Sequence, residues 1–207
     1  MHPTRRLLLK AAPIIITPTA WAATPTVPAT SGPFYPAEIP LDSDADLTMV
    51  KGKTRPATGI IANLTGKLTD INGCPVRDAK IEIWQCDAFG AYHHPRDRGD
   101  IAEPEFQGYG TTQTTESGEY RFKTITPVSY PGRTPHIHVR VSKSGMKALT
   151  TQLYVKNEPR NEKDFLFNRI PSEYREQHTA VFPTVNEGTE KSNPNFDIVL
   201  GQTIDCA

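Results

Sequence analysis

The sequence predicts an all-β fold, an antiparallel β-sandwich with long loops and a few short helices, on three observations. From about Thr58, short runs of β-forming residues recur along the chain, several of them alternating apolar with polar side chains. Turn residues separate the runs, as in Asp70-Ile71-Asn72-Gly73 and Glu116-Ser117-Gly118-Glu119. The chain also carries 19 prolines, which speak against central helices because proline removes a backbone donor and clashes with the preceding turn. Short strands punctuated by turn signals are the pattern of two packed sheets.

The first 22 residues stand apart from that pattern. They hold Arg5, Arg6 and Lys10, no acidic residue, and a mostly apolar run from Ala11. Thr4-Arg5-Arg6-Leu7-Leu8-Leu9-Lys10 resembles a twin-arginine export signal, and Ala20-Trp21-Ala22 has the small-x-small form of a cleavage site. The apolar run, interrupted by Pro13 and Pro18, is too short to span a bilayer. The expectation is a signal peptide over residues 1–22, cleaved after Ala22, and a periplasmic protein with no stable membrane anchor. Cleavage would remove three of the 23 Lys and Arg residues and none of the 23 Asp and Glu. The mature chain would be slightly acidic without a basic block, which excludes nucleic acid as the expected partner.

Residues 23–57 read as an extended N-terminal arm, rich in Pro, Thr, Ser and Ala. Within it, Ser31-Gly32-Pro33-Phe34-Tyr35-Pro36 sets two aromatics between prolines. Residues 58–207 form the expected sandwich domain. Its predicted strands are Ile60 to Leu68, Ala79 to Cys86, Tyr120 to Lys123, the segment around His136 and His138, Leu149 to Val155, and Phe196 to Leu200. In the second, Ile81, Ile83 and Gln85 share a face, and Trp84 is expected in the core. Short helices are expected around Lys163 to Asn168 and Pro171 to His178. Of the three cysteines, Cys86 sits in a strand and should be buried, leaving Cys74 and Cys206 to pair in an oxidising compartment.

The stretch Tyr130 to Val141, Y-P-G-R-T-P-H-I-H-V-R-V, carries the most chemistry. It opens as a turn and closes as a strand, so His136 and His138 point to one face. Two imidazoles on a rigid strand are half of a metal site; alone they could equally be surface histidines. Tyr130 and Arg133 stand just upstream, and W-Q-C-D-A-F-G-A-Y-H-H-P brings Tyr92 earlier in the chain. A phenol loses its proton only near pH ~10, and a trivalent hard cation can drive that ionisation. Two phenolates with two imidazoles would suit Fe(III). There is no cysteine cluster for a thiolate-bound metal, and no H-x-D or H-x-E for an Fe(II) facial triad.

G-C-P-V-R-D-A-K-I-E-I-W-Q-C-D-A-F-G-A-Y, then Y-P-G-R-T-P-H-I-H-V, then T-Q-L-Y-V resemble the catalytic domain of intradiol ring-cleavage dioxygenases, the protocatechuate 3,4-dioxygenase and catechol 1,2-dioxygenase group. The resemblance runs from about Gly32 to Val155, with weaker support to Leu200. It implies one non-haem Fe(III) per chain, held by Tyr92, Tyr130, His136 and His138, with Tyr130 the ligand that leaves when substrate binds. It implies catalytic roles for Arg133, Tyr130 and Gln152, and a small aromatic diol and O2 as reaction partners. Cleavage would fall between the two hydroxylated carbons and yield a cis,cis-muconate. Gly32-Pro33-Phe34-Tyr35 resembles the family's N-terminal signature, which would bring Tyr35 toward the substrate. A short Tyr130–His136 loop, and no helical dimerisation domain of the catechol 1,2-dioxygenase kind, favour a protocatechuate-type or small exported subfamily. A homo-oligomer is compatible with this reading.

Two other classes stay open at this point. One is a non-catalytic β-sandwich subunit supporting a catalytic partner, although such a subunit is expected to lack the ligand set. The other is an exported copper- or zinc-binding sandwich, which would want more His or Asp ligands; His93 and His94, otherwise supporting or surface residues, keep it in view.

Overall fold

The computed structural model describes residues 23–97, 101–185, 193–204 and 206; the expected export signal lies outside them. Alternation builds the first sheet. β1 (Ile61–Thr69) buries Ala62, Leu64, Gly66 and Leu68 and exposes Asn63, Thr65 and Lys67 between them. β4 (Glu119–Ile125) does the same with Tyr120 and Phe122, and pairs with β1 in antiparallel register from Ile61↔Ile125 to Lys67↔Glu119. The short β8 (Ile198–Val199) joins the other edge of β1.

The second sheet has the order β3-β2-β5-β6-β7: β3 (Tyr109–Gln113), β2 (Lys80–Trp84), β5 (His136–Ser142), β6 (Leu149–Val155) and β7 (Thr179–Ala180). Its inner face packs Ile81, Ile83, Ile137, Val139, Val141 and Leu153 onto Leu64, Leu68 and Phe122 of the first sheet. Gln85 also faces inward, as its spacing predicts. Its amide donates to the Ile125 carbonyl and accepts from Thr124 Oγ1, which satisfies a buried polar group.

The sandwich is largely antiparallel, with two departures. The short edge strands β7 and β8 run parallel to their neighbours, because long connections rather than hairpins deliver them. β3 escaped the sequence reading because Y-G-T-T-Q lacks aliphatic residues. Its Gly110 lets the arm lie close: a Cβ there would stand 2.5 Å from both the Asp44 carbonyl and Leu47 Cδ1. The helical segments are all 3-10: η1 (Pro159–Lys163), η2 (Phe167–Arg169) and η3 (Ser172–His178). The helix expected over Lys163 to Asn168 is broken at Asp164, whose side chain caps the next turn by accepting from Leu166 N and Phe167 N. No helix among the described residues is long and apolar enough to cross a membrane.

Cys74 and Cys206 form a disulfide across a separation of 132 residues, with Cα atoms 5.8 Å apart, while Cys86 is buried and free. Closing so long a loop stabilises the fold by about 4–5 kcal/mol in the chain-entropy account. The arm is extended, without helix or strand, and is laced to the sandwich by Ala23 N to Ile71 O, Thr26 N to Val199 O and Ala29 N to Thr150 O. His178 adds a further tie. Its Nε2 accepts from Val27 N at 3.2 Å and its Nδ1 lies 3.3 Å from the Gln152 carbonyl, an arrangement that requires the neutral ring.

Burial pushes His178 below its ordinary value, so its contribution is complete above about pH 6.5 and is lost as pH falls below that. Denaturant midpoints between pH 7 and pH 5 should therefore fall less steeply in His178→Gln than in the parent. The difference should approach about 1.4 kcal/mol per pH unit for one proton. Identical slopes would show that the ring does not resist protonation.

Candidate metal centre

The outer face of the second sheet carries the chemistry, and strand register orders it. Trp84 pairs with Tyr109 on one side and His138 on the other. His138 in turn pairs with Gln152, and His136 with Tyr154. These residues form a row across β3, β2, β5 and β6. Every one of them is buried, because the arm and the loops before β3, before β5 and after β6 cover the sheet.

The two imidazoles meet at their Nε2 atoms, 3.2 Å apart. His136 Nδ1 donates to the Thr134 carbonyl at 2.6 Å, which fixes a lone pair on Nε2. Burial first, and then the Arg133 guanidinium, push His136 down to about 4. Burial, His136 and Arg133 hold His138 well below its ordinary range. Both rings are neutral at neutral pH, as metal-binding imidazoles must be. The His138 ring stacks flat on Trp84, with centroids 4.8 Å apart and planes within 4°.

Tyr92 and Tyr130 close the cluster. Their rings meet edge to face at 5.6 Å, and Tyr130 stands 5.5 Å from the His136 ring. Among the described residues the buried Tyr92 hydroxyl has no hydrogen-bond partner, which is costly unless another group satisfies it. Burial, followed by Cys86 and Tyr130 beside it, raises the Tyr92 phenol well above its usual value. Burial also raises Tyr130, although Arg133 draws it back. Both phenols are protonated in the metal-free protein, so a cation that binds them must displace protons. The donor chemistry of two imidazoles, a partnerless buried phenol and a half-buried one fits a hard trivalent cation.

Among the described residues no group of three His, Cys, Asp or Glu side chains could hold a metal ion; Tyr92 and Tyr130 are the residues expected to complete a donor set with His136 and His138. His93 and His94 turn elsewhere. His93 Nε2 lies 2.8 Å from the Glu103 carbonyl, and His94 Nδ1 accepts from Arg96 N.

Arg133 is fixed on three sides. Its Nε donates to Asp164 at 2.8 Å and its Nη2 to Gln152 Oε1 at 2.6 Å, while Nη1 lies 3.3 Å from His136 Nε2. Gln152 is wholly buried, accepts also from the Tyr154 hydroxyl, and donates to the Thr30 carbonyl. Sequence reasoning missed Asp164, because one Asp in a polar loop gives no signal. Burial would raise its carboxyl, but donors from Phe167 N, Thr134 N and Arg133 outweigh that and hold it below the usual carboxylate range.

The arm supplies a wall. The Tyr35 hydroxyl donates to the buried Glu82, which also accepts from Tyr109, and its ring stands edge-on to Trp84 at 5.0 Å. Phe34 is the arm residue at the site, stacked on Tyr92 at 4.7 Å and edge-on to Tyr130. Gly32, at φ 67°, passes so close that a Cβ would stand 3.3 Å from His138 Cε1.

A family model described as Dioxygenase matches residues 30–202. The chain is 35% identical to the protocatechuate 3,4-dioxygenase beta chain of Burkholderia cepacia, over 81% of this chain and 76% of that one. It is 31% identical to a catechol 1,2-dioxygenase of Candida albicans over 66% of this chain, but spans only 49% of that protein. The dioxygenase domain of a dioxygenase carbohydrate-binding protein fusion from Streptomyces sp. SirexAA-E superposes with a TM-score of 0.64 at 29% identity, covering 86% of this chain and 98% of that one. An intradiol ring-cleavage dioxygenase from Tetranychus urticae shares the fold, with a TM-score of 0.67 at 24% identity over 87% and 97% of the two chains.

Removing the Asp164 charge tests the account of Arg133. Asp164→Asn should lower stability by about 3–5 kcal/mol, since it strands a guanidinium whose side chain is only 9% exposed. A denaturant midpoint shifted by less than a quarter of that would show that Arg133 does not depend on its partner.

Proposed function

This chain belongs to the intradiol ring-cleavage dioxygenase family, and from that premise we propose that it cleaves a catechol-type ring between its two hydroxylated carbons with O2, giving a cis,cis-muconate. The observation that carries the reading is the meeting of two neutral imidazoles, 3.2 Å apart at Nε2, with a buried phenol that has no hydrogen-bond partner among the described residues. On this reading Tyr92, Tyr130, His136 and His138 hold one non-haem Fe(III) per chain. When bound, Fe(III) supplies Lewis-acid activation of the chelated diol toward O2.

The chain's own residues do the rest. Tyr130 is the less buried of the two phenols and borders an open cavity, so its oxygen is placed to take a proton from the incoming diol. Arg133, held rigid by Asp164 and Gln152, faces that cavity with a preorganised positive charge that stabilises negative charge developing on the ring. Gln152 is a positioning residue, since it reaches the site through Arg133. Trp84 fixes the plane of His138, and Phe34 screens the tyrosine pair from water. The reading of a non-catalytic subunit is disfavoured because all four expected ligands are present and converge. The copper or zinc reading lacks further His or Asp donors at the cluster among the described residues.

Export to the periplasm is part of the proposal, supported by the Cys74–Cys206 disulfide, which suits an oxidising compartment. Oxygen uptake with catechol or protocatechuate by the ferric-loaded protein should consume one O2 per ring and leave a dicarboxylate opened between the hydroxylated carbons. His138→Ala should lower the rate by about 100-fold or more, beyond what losing a supporting residue of a metal site costs. The activity should fractionate with the periplasm of cells expressing the full chain; activity confined to the cytoplasm would remove the export reading. A loaded protein that consumes no O2, or opens the ring outside the diol, would sink the assignment.

A further inference from the structure

The two imidazoles of the cluster are oriented in different ways. His136 has a hydrogen-bonded anchor, its Nδ1 donating to the Thr134 carbonyl at 2.6 Å. His138 lacks one: among the described residues its buried Nδ1 finds no partner. As a rule a metal-ligating imidazole donates its second nitrogen to a fixed acceptor, which sets the plane of the ring. At His138 packing must do this instead. The ring lies on Trp84, with centroids 4.8 Å apart and planes within 4°.

Trp84 needs holding in its turn, because its own Nε1 is buried without a partner among the described residues. Its ring stands edge-on to Tyr35, with centroids 5.0 Å apart and planes at 88°, an arrangement that aromatic quadrupoles favour. At Tyr35 the hydrogen bonding resumes. Its hydroxyl donates to Glu82 at 3.0 Å, and the Arg140 guanidinium lies over its ring at 5.7 Å.

Glu82 is a firm anchor. It is 3% exposed, and a buried carboxylate must be compensated where it stands. One of its oxygens accepts from Tyr35, from Tyr109 at 2.6 Å and from Lys80 at 3.1 Å. Strand register brings the anchor within reach. Glu82 and Trp84 share a face of β2, where they pair with Arg140 and His138 of β5. The series Glu82, Tyr35, Trp84, His138 therefore runs from a fixed charge to an expected ligand, and its second member comes from the arm.

We propose that Tyr35 is a positioning residue for His138: held by Glu82, it fixes Trp84, and Trp84 sets the plane in which the imidazole meets the cation. This rests on the ferric reading above. Docking of the arm is then part of building the site, and metal affinity depends on a hydroxyl that acts through Trp84.

Two readouts on the full chain test this. The first needs no metal: the fluorescence anisotropy decay of Trp84 in a Trp21→Phe background, where it is the one tryptophan. Tyr35→Leu should add a fast local motion of the indole that the parent lacks, and Tyr35→Phe should add less of it. The second readout is the dissociation constant for Fe(III), measured by competition with a chelator. Tyr35→Phe should weaken binding about tenfold and Tyr35→Leu about 100-fold, the range for residues that support a metal ligand. Tyr120→Phe is the matched control. It removes the hydrogen bond of another buried phenol, to the Phe196 carbonyl, and should lower stability without moving the Fe(III) affinity. An indole held as firmly in Tyr35→Leu as in the parent would overturn the proposal. So would an Fe(III) affinity in Tyr35→Leu equal to the parent's, or an equal loss in Tyr120→Phe. A parent that takes up no Fe(III) would instead fail the functional reading, and the anisotropy would still decide whether Tyr35 holds Trp84.

Discussion

The two-residue period of β5 is the constraint on which the rest of the structure depends. One strand must serve two environments, and the pleat divides it. Ile137, Val139 and Val141 enter the core between the sheets, while His136 and His138 point to the opposite face. A one-residue slip would exchange them, placing imidazoles in the apolar core and aliphatic side chains at the site. Pairing with β2 and β6 prevents the slip, and the same register sets Trp84 beside His138 on one strand and Gln152 beside it on the other.

Having directed polar groups outward, the fold then buries them, which is expensive unless each finds a partner. Most do. Glu82 is met by Tyr35, Tyr109 and Lys80; Asp164 by Arg133 and three backbone donors; Gln152 by Arg133, Tyr154 and Thr30. Among the described residues six buried side-chain atoms lack a partner, and three of them, the Tyr92 hydroxyl, His138 Nδ1 and Trp84 Nε1, belong to this cluster. The arm has a structural part as well: Phe34 is packed on Tyr92 and Gly32 on His138.

Much of this was legible in the sequence, for identifiable reasons. Alternation exposed β1, β4 and β5, and the H-x-H spacing placed the two imidazoles on one face. The cysteine pairing followed once Cys86 was taken as buried, although the strand expected to hold it, β2, ends at Trp84. What stayed hidden depends on contacts between residues distant in the chain. β3 lacks the aliphatic alternation of the other strands because it packs the arm against Gly110. Asp164 has no local pattern, since its partners Arg133 and Thr134 lie some thirty residues earlier. The motif Gly32-Pro33-Phe34-Tyr35 marks the arm as part of the site, but not which aromatic faces it. That choice is made by Glu82, a buried carboxylate that draws the Tyr35 hydroxyl to the far side of Trp84.

The account's central claim is that the two phenols and two imidazoles form a single ferric site open to a chelating diol. A visible absorption spectrum of the purified protein after ferric loading, recorded before and after anaerobic addition of catechol, tests it most directly. The account predicts a reddish protein, from tyrosinate-to-Fe(III) charge transfer, whose band moves to longer wavelength as the diol binds. A protein that stays colourless after ferric loading would contradict it.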